Sequence, residues 1–239
     1  MIEEIFGQPI GIYDLDVPDE LNQELVDFAY YCRDLASNHT GPSASLAKSS
    51  TRYADDESSY IGAHTFLFNR CHLFPSYPKS IIPIINEAVG SYFRESNYFS
   101  GLDYPYNIPF LDRAWSCIIR PNDNLKLHNH VASKLSLAYY PHKEVDAGNF
   151  YISNADINTF YKDITLIEKI HTIETMKSRL IVFPSFIYHW TDTNKSNSDR
   201  ISYSFDYNTV GLTQTLPPID LMEKLYSKIT EELTLIGEI

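Results

Sequence analysis

The feature that most constrains this 239-residue chain is a succession of seven short β-prone runs with no helical stretch among them. They are Ala114–Arg120, Lys134–Tyr140, Asn149–Ser153, Glu168–Thr172, Arg179–Phe183, Tyr188–Asp192 and Arg200–Asn208. Turn formers separate several of them: Pro121–Asn124, Asp146–Gly148 and Asn194–Asp199. Parallel strands are usually joined by crossover helices, and no helical pattern separates these runs. The pattern therefore predicts a closely connected β-sandwich or barrel. The aromatic content, 18 Tyr and 13 Phe, suits strands.

Around this centre the periodicity changes. Met1–Asp16 alternates loosely and reads as one extended lead-in strand. From Pro18, Leu21, Leu25, Phe28, Ala29 and Cys32 recur at steps of three and four, which predicts an amphipathic helix. Residues 37–62, rich in Ser, Thr, Asp and Gly, read as a long surface loop. A second helix is expected over 79–95, with Pro83 in its first turn, where a missing N–H costs little. The aromatic, Pro-containing stretch 98–110 reads as another loop. The tail from Pro218 returns to helical spacing (Leu221, Leu225, Ile229, Leu233). One domain over 1–239 is expected: N-terminal support (1–112), a β core (113–208) and a C-terminal helix (209–239).

A formal charge of −12 repels phosphate backbones, so nucleic-acid and anionic-membrane partners are disfavoured. The three cysteines form no CxxC pair and no even set, which favours a reducing compartment. The acidic N-terminus is no secretory leader, and no apolar run is long enough to span a bilayer. The expectation is a soluble, cytoplasmic protein.

Candidate chemistry lies in two places. His128 and His130 flank one residue just after a β-prone run, and residues two apart in extended chain point the same way. Both imidazoles can therefore address one metal ion. The second place is the stretch from Phe183 to Phe205, where His189 follows an apolar strand and a Pro-Ser turn. Beyond it, Arg200, Ser202, Ser204 and Asp206 share one strand face, with Ile201, Tyr203, Phe205 and Tyr207 on the other. An inward polar row headed by Arg suits a barrel holding a polar ligand, and an edge strand with one solvated face would look the same. His39, His64, His72 and His142 lie in unpatterned segments, and they and His171 read as ordinary polar residues.

The order His-X-His, Gly148-X-Phe150, Phe-Pro-Ser, His189 and Arg200-Ile-Ser resembles the Fe(II)- and 2-oxoglutarate-dependent oxygenases, in particular small members from phages and marine bacteria. The resemblance spans roughly 113–208 and extends thinly to the N-terminal helix and Trp115. It implies a double-stranded β-helix (jelly roll, cupin-like) braced by N-terminal helices. It further implies Fe(II) held by two histidines and a carboxylate, with 2-oxoglutarate and dioxygen as co-substrates. Carried over, His128 and His189 are metal ligands, Arg200 grips the distal carboxylate of 2-oxoglutarate, and Ser202 is a second donor. Tyr139 is taken as a third, with Tyr140 the alternative. A guanidinium suits the anchoring role because its fixed fork of donors matches a carboxylate and stays charged.

This chain departs from the usual His-X-Asp or His-X-Glu by placing His130 at the second position. Three arrangements stay open: a site of three histidines; His130 as ligand with a vacant acid position at Ala132; or a carboxylate from elsewhere, with Asp146 and Asp123 nearest, or a site that no longer holds metal. The activity implied is hydroxylation of a C–H bond in a peptide side chain or small molecule. The alternatives are a halogenase or other dioxygenase on the same barrel, and a non-catalytic jelly roll. The loops 37–62 and 98–110, with Tyr53, Tyr60, Tyr104 and Tyr106, are the expected pocket walls.

Overall fold

The computed structural model describes residues 1–38, 64–69, 72–73, 80–96, 107–130, 133–153 and 170–211. The chain begins with a hairpin, β1 (Ile2–Ile5) and β2 (Gln8–Asp14), where the sequence predicts a single strand. Phe6 (φ 55°) and Gly7 (φ 69°) both take the left-handed conformation. A two-residue turn of that kind matches the twist of antiparallel strands. Helix α1 (Asp19–Asn38) follows, with Asp19 and Glu20 in its first turn, where acidic groups complement the helix dipole. Its extent takes in the first two residues of the expected 37–62 loop; residues 39–62 lie outside the described residues.

Strands β3 (His64–Asn69) and β4 (His72–Leu73) carry two histidines that sequence reasoning left in unpatterned segments. Helix α2 (Ile81–Glu95) buries Ile81, Ile85, Ala88, Val89, Tyr92 and Phe93 along one stripe. The remaining strands are β5 (Asn107–Ile119), β6 (Leu135–Tyr140), β7 (Phe150–Ser153), β8 (Ile170–Ile173), β9 (Arg179–Pro184), β10 (Tyr188–Thr191) and β11 (Arg200–Gly211). The start of β5 corrects the expected loop at 98–110: residues 107–110 pair with the end of β11. Long-range pairing overrides the Pro109 signal there. Residues 98–106 and the tail from 212, including the expected C-terminal helix, lie outside the described residues.

Among the described residues all strand pairings are antiparallel and form two sheets, β1-β2-β9-β6-β11-β5-β3-β4 and β10-β7-β8. The architecture is mainly β, a jelly roll with helices. Strand alternation divides its apolar residues between two clusters. One joins Leu25, Phe28 and Ala29 of α1 and the α2 stripe to the outward row of the large sheet: Leu135, Leu137 and Tyr139 on β6, and Ile201, Tyr203, Phe205 and Tyr207 on β11. The other lies between the sheets, where Ala138, Tyr140, Ile181 and Phe183 meet Phe150, Ile152 and Ile173. Each fully buried side chain of this kind contributes about 1.5–3 kcal/mol. None of the described helices is long and apolar enough to cross a membrane.

Candidate active site

The small sheet continues past β10 through a single bridge. His128 N–H donates to His189 O at 3.0 Å, and His189 N–H donates to His128 O at 2.9 Å. Two residues that exchange both hydrogen bonds stand directly opposite, with side chains on the same face. His130, two residues on, is held by its N–H to Ser185 O at 2.8 Å. The three imidazoles converge: their ligating nitrogens all lie within 4.8 Å of one another. Ring centroids are 4.2 Å apart for His128 and His189, 5.2 Å for His128 and His130, and 5.0 Å for His130 and His189.

Their hydrogen bonds fix the tautomers. Nδ1 of His128 lies 2.7 Å from Lys126 O, Nδ1 of His189 3.0 Å from Ile187 O, and Nδ1 of His130 2.8 Å from Asp206 Oδ1. Carbonyl and carboxylate oxygens only accept, so each Nδ1 carries a proton and each Nε2 is the nitrogen with the lone pair. Three imidazoles that keep Nδ1–H on an acceptor and, in the neutral form, offer Nε2 within one cluster fit a divalent transition metal, which that donor type suits. Burial, then the nearby His128 and His130 imidazoles, hold His189 well below the usual histidine range, which favours this neutral form. Phe183 and Phe150 flank its ring at 4.7 and 5.5 Å, and Trp115 lies 5.2 Å from His130.

Arg200 heads the inward row of β11 and is 3% exposed. Its Nη1 donates to Ala147 O at 2.5 Å and Asp192 O at 3.1 Å, and Nη2 donates to Thr191 Oγ1. All three acceptors are neutral. The adjacent Asp192 carboxylate instead accepts from Asn149 N–H at 3.2 Å and Tyr151 O–H at 2.9 Å. Among the described residues no carboxylate forms an ion pair with Arg200. The Asp192 charge acts on Arg200 from nearby, but no described carboxylate hydrogen-bonds the guanidinium, and an anionic ligand would supply that partner. Gly148 (φ +90°) lets the guanidinium and Asp192 pack this closely, since a Cβ there would stand 2.9 Å from Arg200 Nη1 and 2.6 Å from Asp192 Cβ.

Ser202 and Ser204 follow on the same face, opposite Cys117 and Trp115 of β5. Burial pushes the Cys117 thiol up to about 12, so it is an inert lining group. Tyr139 does not belong to this wall. Pairing of Tyr203 with Tyr139 turns it towards the helices, where its hydroxyl donates to Asn22 Oδ1 at 2.5 Å. Its neighbour Tyr140 lies between the sheets, near enough to Arg200 to feel its charge. Asp123 and Asp146 are not part of the histidine cluster. Ala132 lies outside the described residues, as do Tyr53, Tyr60, Tyr104 and Tyr106.

Sequence reasoning missed the carboxylate that does reach the cluster, Asp206, which is fully buried behind His130. It also missed Thr191 as a partner of Arg200. Alternation placed Asp206 on the inward face, but only the pairing of β6 with β11 sets Ser136 opposite it.

A jelly roll that gathers imidazoles at one point and buries an arginine that no described carboxylate hydrogen-bonds has the build of a non-haem iron oxygenase. Residues 113–206, from β5 to the end of the inward row of β11, match the family model described as "Putative 2OG-Fe(II) oxygenase". That family uses Fe(II) and 2-oxoglutarate. No curated relative matches the sequence. Among solved structures, a non-heme monooxygenase, the ThoJ-Ni complex, is 14% identical and aligns over 84% of this chain and 74% of its own, with a TM-score of 0.55. A prolyl-4-hydroxylase from Pseudomonas putida is 13% identical over 84% of this chain and 93% of its own, at 0.52. These two likenesses establish the shared fold. The chain spans 60% of the length of a 2OG-Fe(II) oxygenase family oxidoreductase from Burkholderia pseudomallei, 14% identical over 57% of this chain, at 0.42.

Proposed function

We propose that the chain is a single-domain Fe(II)- and 2-oxoglutarate-dependent dioxygenase that hydroxylates a C–H bond of a peptide side chain or small molecule. The balance is one 2-oxoglutarate, one dioxygen and one C–H substrate giving succinate, CO2 and the hydroxylated product. The bound metal supplies the redox chemistry that couples decarboxylation to oxygen insertion; the protein supplies positioning.

His128, His130 and His189 hold the metal through Nε2. The observation that carries this reading is that all three Nδ1 positions face obligate acceptors, which leaves three Nε2 lone pairs aimed at one another. Such convergence has no structural benefit by itself. His130 occupies the position where the family pattern has an acid, so neither a vacant site nor a distant carboxylate is required.

Arg200 binds the distal carboxylate of 2-oxoglutarate, with Ser202 as a neighbouring donor. Thr191 and the carbonyls of Ala147 and Asp192 hold the guanidinium from behind, so its orientation is fixed before the ligand arrives. Phe150, Phe183 and Trp115 exclude water around the imidazoles. A purely structural jelly roll has no use for a buried arginine whose guanidinium no described carboxylate hydrogen-bonds.

The test is anaerobic addition of Fe(II) and then 2-oxoglutarate, read by the weak visible metal-to-ligand charge-transfer band. The wild-type chain develops the band. Arg200→Ala retains Fe(II) and does not, and His189→Ala loses Fe(II). A band undiminished in Arg200→Ala would overturn the co-substrate assignment.

A further inference from the structure

The metal reading leaves Asp206 without a role, although it is 0% exposed and stands directly behind a proposed ligand. Its Oδ1 accepts from His130 Nδ1 at 2.8 Å and from Ser136 Oγ at 2.7 Å. Ser136 Oγ also lies 2.9 Å from His130 Nδ1 and 2.9 Å from Ser185 Oγ, and Ser136 and Ser185 are themselves buried. The hydroxyl has one proton, so if it donates to Asp206 it accepts from Ser185. The site of this network is irregular: the register of β11 on β5 shifts between Asp206 and Tyr207. Bulges of that kind re-aim a side chain, often beside active sites.

We propose that Asp206 is a positioning residue that holds His130 as a metal ligand, compensating from behind for the carboxylate missing at that position. The other two histidines lean on neutral backbone carbonyls, whereas His130 leans on a carboxylate. That difference has two consequences. The Nδ1–H is held to one acceptor, which sets the ring angle and keeps the lone pair on Nε2. The anionic partner also polarises the imidazole and makes Nε2 a stronger donor towards a cation. A site of three neutral ligands thereby acquires negative charge one ring away from the metal. The inference rests on the proposed metal role of the three histidines.

Full-length protein stripped of metal with a chelator is titrated with Co(II), whose visible bands report affinity and coordination. Asp206→Asn is expected to weaken Co(II) binding about 10- to 100-fold. In metal-free protein, long-range 1H–15N spectra are expected to show His130 losing its fixed Nδ1–H form in this variant, while His128 and His189 keep theirs. In a His130→Ala background the same change adds nothing, because its route is gone.

Equal Co(II) affinity in wild type and Asp206→Asn would overturn the proposal. So would a full additional loss in the His130→Ala background, which would make Asp206 a ligand in its own right. Should Asp206→Asn not fold, Ser136→Ala removes one donor to the same carboxylate and is expected to weaken Co(II) several-fold; no change would again overturn the proposal. Failure of the wild-type chain to bind Co(II) is a different result, which removes the metal reading and the inference with it.

Discussion

The two faces of β11 use polar atoms in opposite ways. On the face towards the helices, every inward-packed tyrosine of β6 and β11 ends in a protein acceptor. Tyr139 donates to Asn22 Oδ1 at 2.5 Å, Tyr203 to Leu25 O at 2.6 Å, and Tyr207 to Asn86 Oδ1 at 2.6 Å. Those bonds tie α1 and α2 to the large sheet, and they are complete within the fold. On the opposite face, Arg200 is held by neutral acceptors while the nearby Asp192 carboxylate bonds to Asn149 and Tyr151, and His130 is held at one nitrogen by Asp206. One face is satisfied by the protein; the other is braced by it and left chemically incomplete. Buried polar groups alone therefore do not mark a functional site. The mark is a group fixed from behind whose remaining valence or charge faces inward.

The sharpest way to break this contrast is Arg200→Ala. Removing one partner of a buried charge contact costs about 2–5 kcal/mol, so 2-oxoglutarate binding should weaken at least 30-fold and succinate formation should disappear. Calorimetric titration of metal-loaded protein with 2-oxoglutarate checks it, with circular dichroism confirming the fold. Gly148→Ala comes next. It forces a side chain into a left-handed conformation and against Arg200 and Asp192, at a cost of about 1–3 kcal/mol of stability, measured by chemical denaturation.

Tyr203→Phe sharpens the contrast from the other side. Loss of the bond to Leu25 O should cost about 1 kcal/mol while 2-oxoglutarate affinity stays unchanged. A matching fall in that affinity would erase the distinction between the faces. The smallest effect concerns the exposed pair Asp14–Arg179. The Arg179 hydrogen bond holds the Asp14 carboxyl below its ordinary value. A lowered folded-state value means the stabilisation is present above the unfolded value, about 3.9, and is lost as pH falls through the folded one. Asp14 is 62% exposed, so solvent leaves only a few tenths of a kcal/mol. Wild type and Asp14→Asn should differ by that amount at pH 6 and converge as pH falls through the lowered folded-state value, as followed by urea denaturation.

Much of the β core was legible because alternation and turn formers are local signals. The strands from β6 to β11 fall within a few residues of the runs read from sequence, and the periods of α1 and α2 are equally local. The hairpin β1–β2 was not, because Phe6 is an unusual residue for a left-handed position and only Gly7 hints at the turn. Residues 107–110 were misread as loop because the partner that makes them a strand lies at the far end of the chain, on β11. The same limit governed the site. His128, His130, His189 and Arg200 stand out by spacing and type, whereas the choice between Tyr139 and Tyr140 turns on strand register, and the pairing of Asp206 with His130 turns on how segments 76 residues apart meet. Neither is encoded in any short stretch of residues.

The bridge between His128 and His189 joins points on either side of the segment that carries β6, β7, β8 and β9. A cation gripping both rings would act as a removable clasp across that stretch, bound by the native chain and scarcely by the unfolded one. At a hundredfold excess over its dissociation constant it would add about 2.7 kcal/mol to the unfolding free energy. The lifetime of the protein in a cell would then follow the local supply of the metal, and starvation for iron would shorten it before any substrate were encountered.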